Sequence, residues 1–346
     1  MKVSIICDKF KKAGGMENYL LDVVKGFSQR QIRPTIYACS FDRSLTEYTL
    51  IQPQSINVSY IPRKFRLPII SYLFEKKQKI HSDTIFLSTS YISSDVIFCG
   101  GQHKGYLKAL KKATSLSDRF KIWNEQRSLN QSKLVIAHSK LMKKELQDLY
   151  NIEEDKIKVI YPPVDTSKFS IITQEERHRL REKLGFNTTD ILYLFPSTGH
   201  KRKGYEILKS FFNNTDLPIK LVVAGTPVEE SKNVISLGFR NDMPDLYKIS
   251  DFTIMASTYE PFGLVGIESI LSGTPIIFSE NMGCLEVLKG NFGFTFNKDD
   301  LSSLSDAIKN SISSRTRIYE PLSCLSYNPE LPNHIELIIN EIQNIN

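Results

Sequence analysis

Short apolar runs alternate with amphipathic stretches from one end of the chain to the other. Residues 3–7, Val-Ser-Ile-Ile-Cys, read as a buried strand. A turn at Gly14-Gly15 follows, then a helix on which Met16, Leu20, Val23, Val24 and Phe27 share one face. Residues 35–39, 84–87, 96–99 and 134–138 predict further strands, with amphipathic segments at 107–116 and 118–129 between them. A strand at 158–161 precedes Pro162-Pro163, which interrupts helix and sheet alike. The pattern then restarts. Residues 174–184 predict a helix ended by Gly185, and 191–195, 219–224, 234–237, 252–256 and 275–278 predict strands with helices between them.

Two such runs predict an α/β protein of two doubly wound, Rossmann-like domains, each built on a mostly parallel sheet. We place them at residues 1–165 and 166–330, with a hinge within 162–168. A C-terminal segment, 331–346, carries a short helix at 334–345 after Pro332, free to dock on either domain, a return to the N-terminal one included. Ligands of doubly wound sheets bind at the carboxyl edges of the strands, where helix N-termini offer free N–H groups and partial positive charge. A phosphorylated ligand in a cleft between two such edges is therefore expected.

Composition narrows the class. Of 346 residues, 41% are hydrophobic and 24% charged, which suits a folded globular protein. No apolar run approaches the ~20 residues that cross a bilayer. The first residues turn polar after Cys7 and form no secretory core, and Cys7, Cys39, Cys99, Cys284 and Cys324 make no C-x-x-C pair. The expectation is a reducing cytoplasm and no zinc site. Charge is uneven: residues 1–170 carry 28 Lys+Arg against 16 Asp+Glu, a net +12, and the remainder is net −5. The first half faces nucleic acid, an acidic membrane surface or a phosphorylated substrate, or it is a solvated basic surface.

Three segments carry candidate chemistry. Gly14-Gly15 is either a structural turn or a loop whose N–H groups approach a ligand. Gly199-His-Lys-Arg-Lys-Gly204 opens a helix after a strand. Cations at a helix N-terminus oppose the helix dipole; a bound anion such as a diphosphate leaving group would reconcile them, and a solvated basic loop is the other reading. In Tyr259-Glu-Pro-Phe-Gly-Leu-Val-Gly-Ile-Glu268, Pro261 and Gly263 put Glu260 in a loop and start a helix near Gly263. Glu268 then lies a turn or more along it, and the N–H groups of Gly263, Leu264 and Val265 form an anion site.

Four pieces resemble the retaining glycosyltransferases of family 4, which have the GT-B fold. They are Gly14-Gly-Met-Glu-Asn18, Val159-Ile-Tyr-Pro-Pro-Val-Asp-Thr-Ser-Lys-Phe169, Lys201-Arg-Lys-Gly204, and E-x7-E followed by Ser269-Ile-Leu-Ser-Gly-Thr-Pro275. Within the family, the Arg202-Lys203 pair and the basic, aromatic segment 118–129 resemble bacterial lipopolysaccharide core glucosyltransferases. The resemblance implies two Rossmann-like domains facing each other across a cleft, with donor-binding and catalytic roles that fall on named residues. Gly15 would approach the donor phosphate or the transferred sugar, and Arg202 and Lys203 would neutralise the diphosphate. Glu260 would bind sugar hydroxyls, while Gly263, Leu264 and Val265 would give backbone contacts to sugar and phosphate. Glu268 would hold the ribose, and Gly238, Phe239 and Arg240 would flank the nucleobase. His103, after Gly100-Gly101, is the candidate for a histidine near the sugar. The chain departs from the commoner pattern near Ser197 and Thr198, where no basic residue stands and Arg202 takes that place.

The implied reaction moves a hexose, UDP-glucose being the first choice of donor, to a glycan or lipid-linked acceptor in cell-surface polysaccharide or lipopolysaccharide synthesis. The anomeric configuration would be retained by same-face attack, with the leaving phosphate assisting as base. No D-x-D metal clamp occurs, and neither a metal nor a cofactor is expected, since cationic side chains and a helix terminus can stabilise the leaving charge. Only one carboxylate remains at the sugar, which disfavours a glycosidase. Cations beside Phe65, Leu67, Ile69, Ile70, Tyr72, Leu73 and Phe74, and again within 104–112, suit an anionic membrane surface; those apolar residues facing the core is the alternative. The expected location is cytoplasmic, peripheral on the inner face of the cell membrane. Rival readings are another GT-B enzyme such as an epimerase or phosphorylase, a nucleotide-sugar-binding protein without transfer, and a nucleic-acid-binding module. No zinc, helix-turn-helix or RNA-recognition signature supports the last, and no nucleic-acid partner is expected.

Overall fold

The computed structural model describes residues 1–58, 60–80 and 83–345. The side chains of residues 63, 64, 79 and 80 lie outside that description, and with them the charges of Arg63, Lys64 and Lys79. The chain divides into two compact units, one of Met1–Pro163 with Pro329–Asn346 and one of Val164–Asn328.

The first unit is built on strands β1 (Lys2–Phe10), β2 (Thr35–Phe41), β3 (Gln52–Ser55), β4 (Thr84–Ser88), β5 (Val96–Cys99), β6 (Leu134–Ala137) and β7 (Ile157–Val159). They form one parallel sheet in the order β3-β2-β1-β4-β5-β6-β7. The central strands β5 and β6 are buried at every position, as both faces of a parallel sheet covered by helices require. Those helices are α1 (Gly15–Gln29), α2 (Arg63–Ile80), α3 (His103–Ala109), α4 (Leu116–Gln131) and α5 (Lys140–Tyr150). On α1, Tyr19, Leu20, Val23, Val24 and Phe27 are buried and Met16 packs against them half-buried.

Local chemistry corrects several boundaries. Residues 107–116 are not one amphipathic element. Helix α3 stops at Ala109, and Lys111 takes the left-handed region at φ 50°. Helix α4 starts earlier than the predicted 118, because Ser115 and Asp118 form a reciprocal capping box. The predicted strand at 158–161 is Ile157–Val159.

The second unit repeats the plan with β8 (Ile191–Ser197), β9 (Ile219–Gly225), β10 (Val234–Gly238), β11 (Phe252–Met255), β12 (Ile276–Ser279) and β13 (Gly293–Phe296). The order is β10-β9-β8-β11-β12-β13, again parallel. Its helices are α6 (Gln174–Lys183), α7 (His200–Lys203), α8 (Tyr205–Asn213), α9 (Met243–Ile249), α10 (Leu264–Leu271) and α11 (Leu301–Ser313). In both sheets the strand order reverses beside the first strand, which creates the switch point where ligands of this architecture bind.

The amino edge of the second sheet is closed by buried charge. Asp251, just before β11, accepts from Arg177 at 3.0 Å, Arg181 at 2.6 Å, Arg315 at 2.9 Å and the Leu192 amide at 2.8 Å. Burial alone would raise its carboxyl; the Arg181 and Arg177 charges with the Leu192 amide outweigh burial and hold it below the usual carboxylate range. Arg181 also donates to the carbonyls of Ile249, Thr188 and Asp190.

The last helix, α12 (Leu331–Gln343), belongs to the first unit. It begins earlier than the predicted 334, and Pro332 sits inside its first turn, where a missing N–H costs nothing. Ile335, Ile338 and Ile342 fall on one face and join the core of the first sheet. Contact is close because α1 has Gly26 there: a Cβ at that position would lie 2.1 Å from Ile335 Cγ1. Tyr19 and His334 meet at 3.0 Å, and His334 Nδ1 lies 2.9 Å from the Tyr161 carbonyl. A carbonyl only accepts, so Nδ1 carries the proton and Tyr19 Oη donates to Nε2.

Two predictions concern stability. Asp251→Ala strands two buried guanidinium groups and is expected to cost about 3–5 kcal/mol in urea unfolding. Burial holds His138 near pKa 3 and His334 near 4, against 6.5 for the free side chain. Both are neutral when folded and take up a proton on unfolding at mildly acid pH, so their contribution is complete above about pH 6.5 and lost as pH falls toward 4 for His334 and toward 3 for His138. The unfolding free energy is expected to drop by about 1.4 kcal/mol per pH unit for each histidine between pH 6 and 5, and His334→Gln should remove one histidine's share of that slope.

Candidate active site

The carboxyl ends of β8 and β11 lie side by side, since Phe252 pairs with Tyr193 and Thr253 with Leu194. The loops that leave them are stitched together. The Thr258 amide donates to the Arg202 carbonyl at 2.9 Å and the Ala256 amide to the Lys203 carbonyl at 3.3 Å. Gly204, in the left-handed region at φ 77°, makes this approach feasible, because a Cβ there would sit 2.1 Å from the Ala256 carbonyl oxygen. The cations do follow a strand and open a helix, as the sequence suggested; that helix is the single turn α7, which Gly204 ends before α8.

Arg202 Nη1 donates to the Tyr259 carbonyl at 2.7 Å and to Glu260 Oε2 at 2.5 Å. Lys203 Nζ donates to the Pro196 carbonyl at 2.9 Å. Desolvation pulls the Lys203 ammonium below its usual range, against the fields of Glu260 and Glu268. Glu260 itself is pinned through its backbone: its amide donates to the Asn281 carbonyl at 3.3 Å, and its carbonyl accepts from the Gly283 amide at 2.9 Å.

Gly263, at φ 91°, caps α10 without a side-chain partner. The amides of Leu264 and Val265 head that helix and have no carbonyl one turn back within it. The Val265 side chain packs into the core, which leaves its backbone as the polar group. Glu268 lies one turn further on and accepts from Tyr247 Oη at 2.8 Å. Desolvation raises its carboxyl, opposed by that hydrogen bond and by Lys203. Two cations, two carboxylates and a helix N-terminus thus share the switch point of one sheet. At the end of β10, Gly238 takes φ 62°, Phe239 is 71% exposed, and Arg240 is paired with Asp242. His200, which sequence reasoning set among the cations, is held between Ser197 Oγ at 2.8 Å and the Thr226 carbonyl at 2.9 Å.

In the first unit, Gly15 opens α1 and nothing lies within 4 Å of where its Cβ would be. His103 opens α3. Its Nε2 meets Asp118 at 2.7 Å, its ring stacks on Tyr106, and its amide donates to Glu125. Among the described residues these partners lie on α3 and α4. A second imidazole, His138, escaped sequence reasoning because nothing in its spacing marks it. It ends the run after β6, packs edge-on against Tyr19 with ring centroids 4.4 Å apart, and keeps Nε2 buried and unpartnered. Among the described residues, no group of three or more His, Cys, Asp or Glu is placed to hold a metal ion.

Comparison with known proteins gives this geometry a family. The chain matches Glycosyltransferase Family 4 over residues 13–168 and the glycosyl transferases group 1 over residues 176–323. A probable transglycosylase of Burkholderia thailandensis is 33% identical over 349 positions, spanning 98% of this chain and 96% of that protein. Mannosylfructose-phosphate synthase of Agrobacterium fabrum is 26% identical over 49% of this chain and 43% of its own. Among solved structures, WaaG, a glycosyltransferase involved in lipopolysaccharide biosynthesis, superposes with a TM-score of 0.80 at 17% identity, over 97% of this chain and 99% of that one. HepE of Anabaena in complex with UDP-glucose does so at 0.73 and 19%, over 99% and 100%. The two parallel sheets with a common strand order are those of the GT-B fold, and the chain belongs to the family 4 glycosyltransferases.

Proposed function

We propose that the protein transfers a hexose from a nucleotide diphosphate sugar, UDP-glucose first, to a glycan or lipid-linked acceptor of the cell surface. The observation that carries this reading is the gathering of Arg202, Lys203 and the head of α10 at the switch point between β8 and β11. The HepE structures hold UDP, glucose and UDP-glucose, which supports the same donor here. WaaG acts in lipopolysaccharide biosynthesis, which supports a surface glycan as the product.

In this reading the bond between the sugar's anomeric carbon and the diphosphate breaks as a bond to an acceptor hydroxyl forms on the same face. The hydroxyl proton passes to the departing phosphate oxygen, and the configuration is retained. Charge grows on the diphosphate in the transition state. Arg202, Lys203 and the Leu264 and Val265 amides meet it without a divalent ion, in a partly desolvated setting where fixed charges act strongly. Glu260, oriented by Arg202, takes sugar hydroxyls; Glu268, oriented by Tyr247, takes the ribose. Gly238, Phe239 and Arg240 flank the base. Gly15, in the first unit, is assigned to the phosphate or the sugar, and His103 is the imidazole assigned to the sugar.

The basic face of the first unit is assigned to an anionic membrane surface on the cytoplasmic side. On α2, Ile70 and Phe74 are buried, whereas Phe65, Ile69, Tyr72 and Leu73 are exposed, with Lys76 over the Tyr72 ring. On α4, Trp123 is half exposed beneath Arg127, and Phe120 stacks on it while meeting Phe65 edge-on. Cations set among exposed aromatic rings suit a lipid interface. No helix of the described residues is long and apolar enough to cross a membrane.

Lys203→Ala and Arg202→Ala are each expected to lower kcat by about 10²–10³-fold. Wild-type transfer should continue in EDTA, and NMR of the product should show the donor's anomeric configuration. Loss of turnover in chelator, or an inverted product, overturns the mechanism. In flotation with vesicles containing anionic lipid at low salt, the wild type should rise with the vesicles, and a Trp123→Ala/Lys76→Glu double variant should stay behind.

A further inference from the structure

The chain passes between its two units twice, once between Pro163 and Val164 and once between Asn328 and Pro329. The first crossing begins two residues after Tyr161, and the second ends five residues before His334. These two residues are joined: His334 Nδ1–H donates to the Tyr161 carbonyl at 2.9 Å. The other ring nitrogen of His334 accepts from Tyr19 Oη at 3.0 Å. Tyr19 lies on α1, little more than a turn beyond Gly15. Tyr19 and His334 are 3% and 1% exposed, so neither bond competes with water. The His138 ring packs edge-on against Tyr19, and Gly26 lets Ile335 approach α1 closely. One buried imidazole thus ties together the first crossing, the second crossing and the helix that begins at the glycine loop.

We propose that Tyr19 and His334 are positioning residues for sugar transfer: they fasten both crossings to α1, so that the glycine loop and the two crossings move as one piece. Neither is among the donor contacts assigned to the second unit. Helix α12 is then part of the machinery of turnover as well as of the core, and its polar pin sits at the end next to the second crossing. Hinge positions act on turnover from a distance, because an error of about 1 Å in placing reactants costs up to about 10²-fold in rate. The turnover role rests on the function proposed above; the fastening itself does not.

Tyr19→Phe removes the one hydroxyl and keeps the ring. It is expected to lower kcat with UDP-glucose roughly tenfold while UDP affinity, measured by calorimetry, stays within about twofold. In hydrogen exchange, the non-proline amides within 160–166 and 330–338 should speed up together. Arg30→Ala, which removes the exposed Arg30–Glu336 pair on the same helix interface, should change neither readout. His334→Gln provides a second variant with the same expected pattern if Tyr19→Phe does not fold. Exchange that rises in 330–338 alone, or equal effects from Arg30→Ala, overturns the fastening. An unchanged kcat with coupled exchange overturns the turnover role. A wild type that neither binds UDP nor uses UDP-glucose refutes the proposed donor instead, and the exchange arm still decides the fastening.

Discussion

Two neighbouring parallel strands, β8 and β11, set the chemistry of the second unit. Because their carboxyl ends abut, the loop that carries Arg202 and Lys203 must run against the loop that carries Glu260. The approach is so close that Gly204 leaves no room for a methyl group against Ala256. Each cation then finds a carbonyl, Tyr259 for Arg202 and Pro196 for Lys203, which fixes its direction before any ligand arrives. In the proposed reaction, fixed donors of this kind need no reorganisation when charge develops on the diphosphate.

The alternation of strand and helix was legible in the residues because buried parallel strands are short continuous apolar runs, such as Val96–Cys99. Strand β3 was not. Its residues, Gln-Pro-Gln-Ser, are all exposed, and only pairing with β2 makes them a strand. The glutamates, the cations and the start of α10 could be read from Pro261, Gly263 and Gly204, since glycine and proline punctuate chains locally. The pairings could not. That Arg202 meets Glu260, that Tyr247 holds Glu268, and that Asp118 holds His103 are facts of tertiary contact between residues 58, 21 and 15 positions apart. His138 and His334 were invisible for the same reason: a buried imidazole carries no periodic signature.

Stability and chemistry are segregated to opposite edges of the second sheet. At the amino edge, Asp251 is saturated by three arginines and an amide, and its charge is spent on closing the fold. At the carboxyl edge, among the described residues, Lys203 makes one side-chain hydrogen bond with three donor hydrogens and Glu268 makes one with two oxygens. Hydrogen-bonding capacity kept in reserve is what a site needs and what a structural core avoids.

The notch at Gly26 has a consequence for biosynthesis. A ribosome delivers residues in order, and domains generally fold as they emerge. The second unit is a single stretch from Val164 to Asn328, synthesised before Pro329 and the helix that follows it. The first unit, although made earlier, must wait: three isoleucines of its core arrive only with the final helix. Until then α1 shows the nascent chain's surroundings an apolar furrow around Gly26, and the part synthesised first is the part finished last.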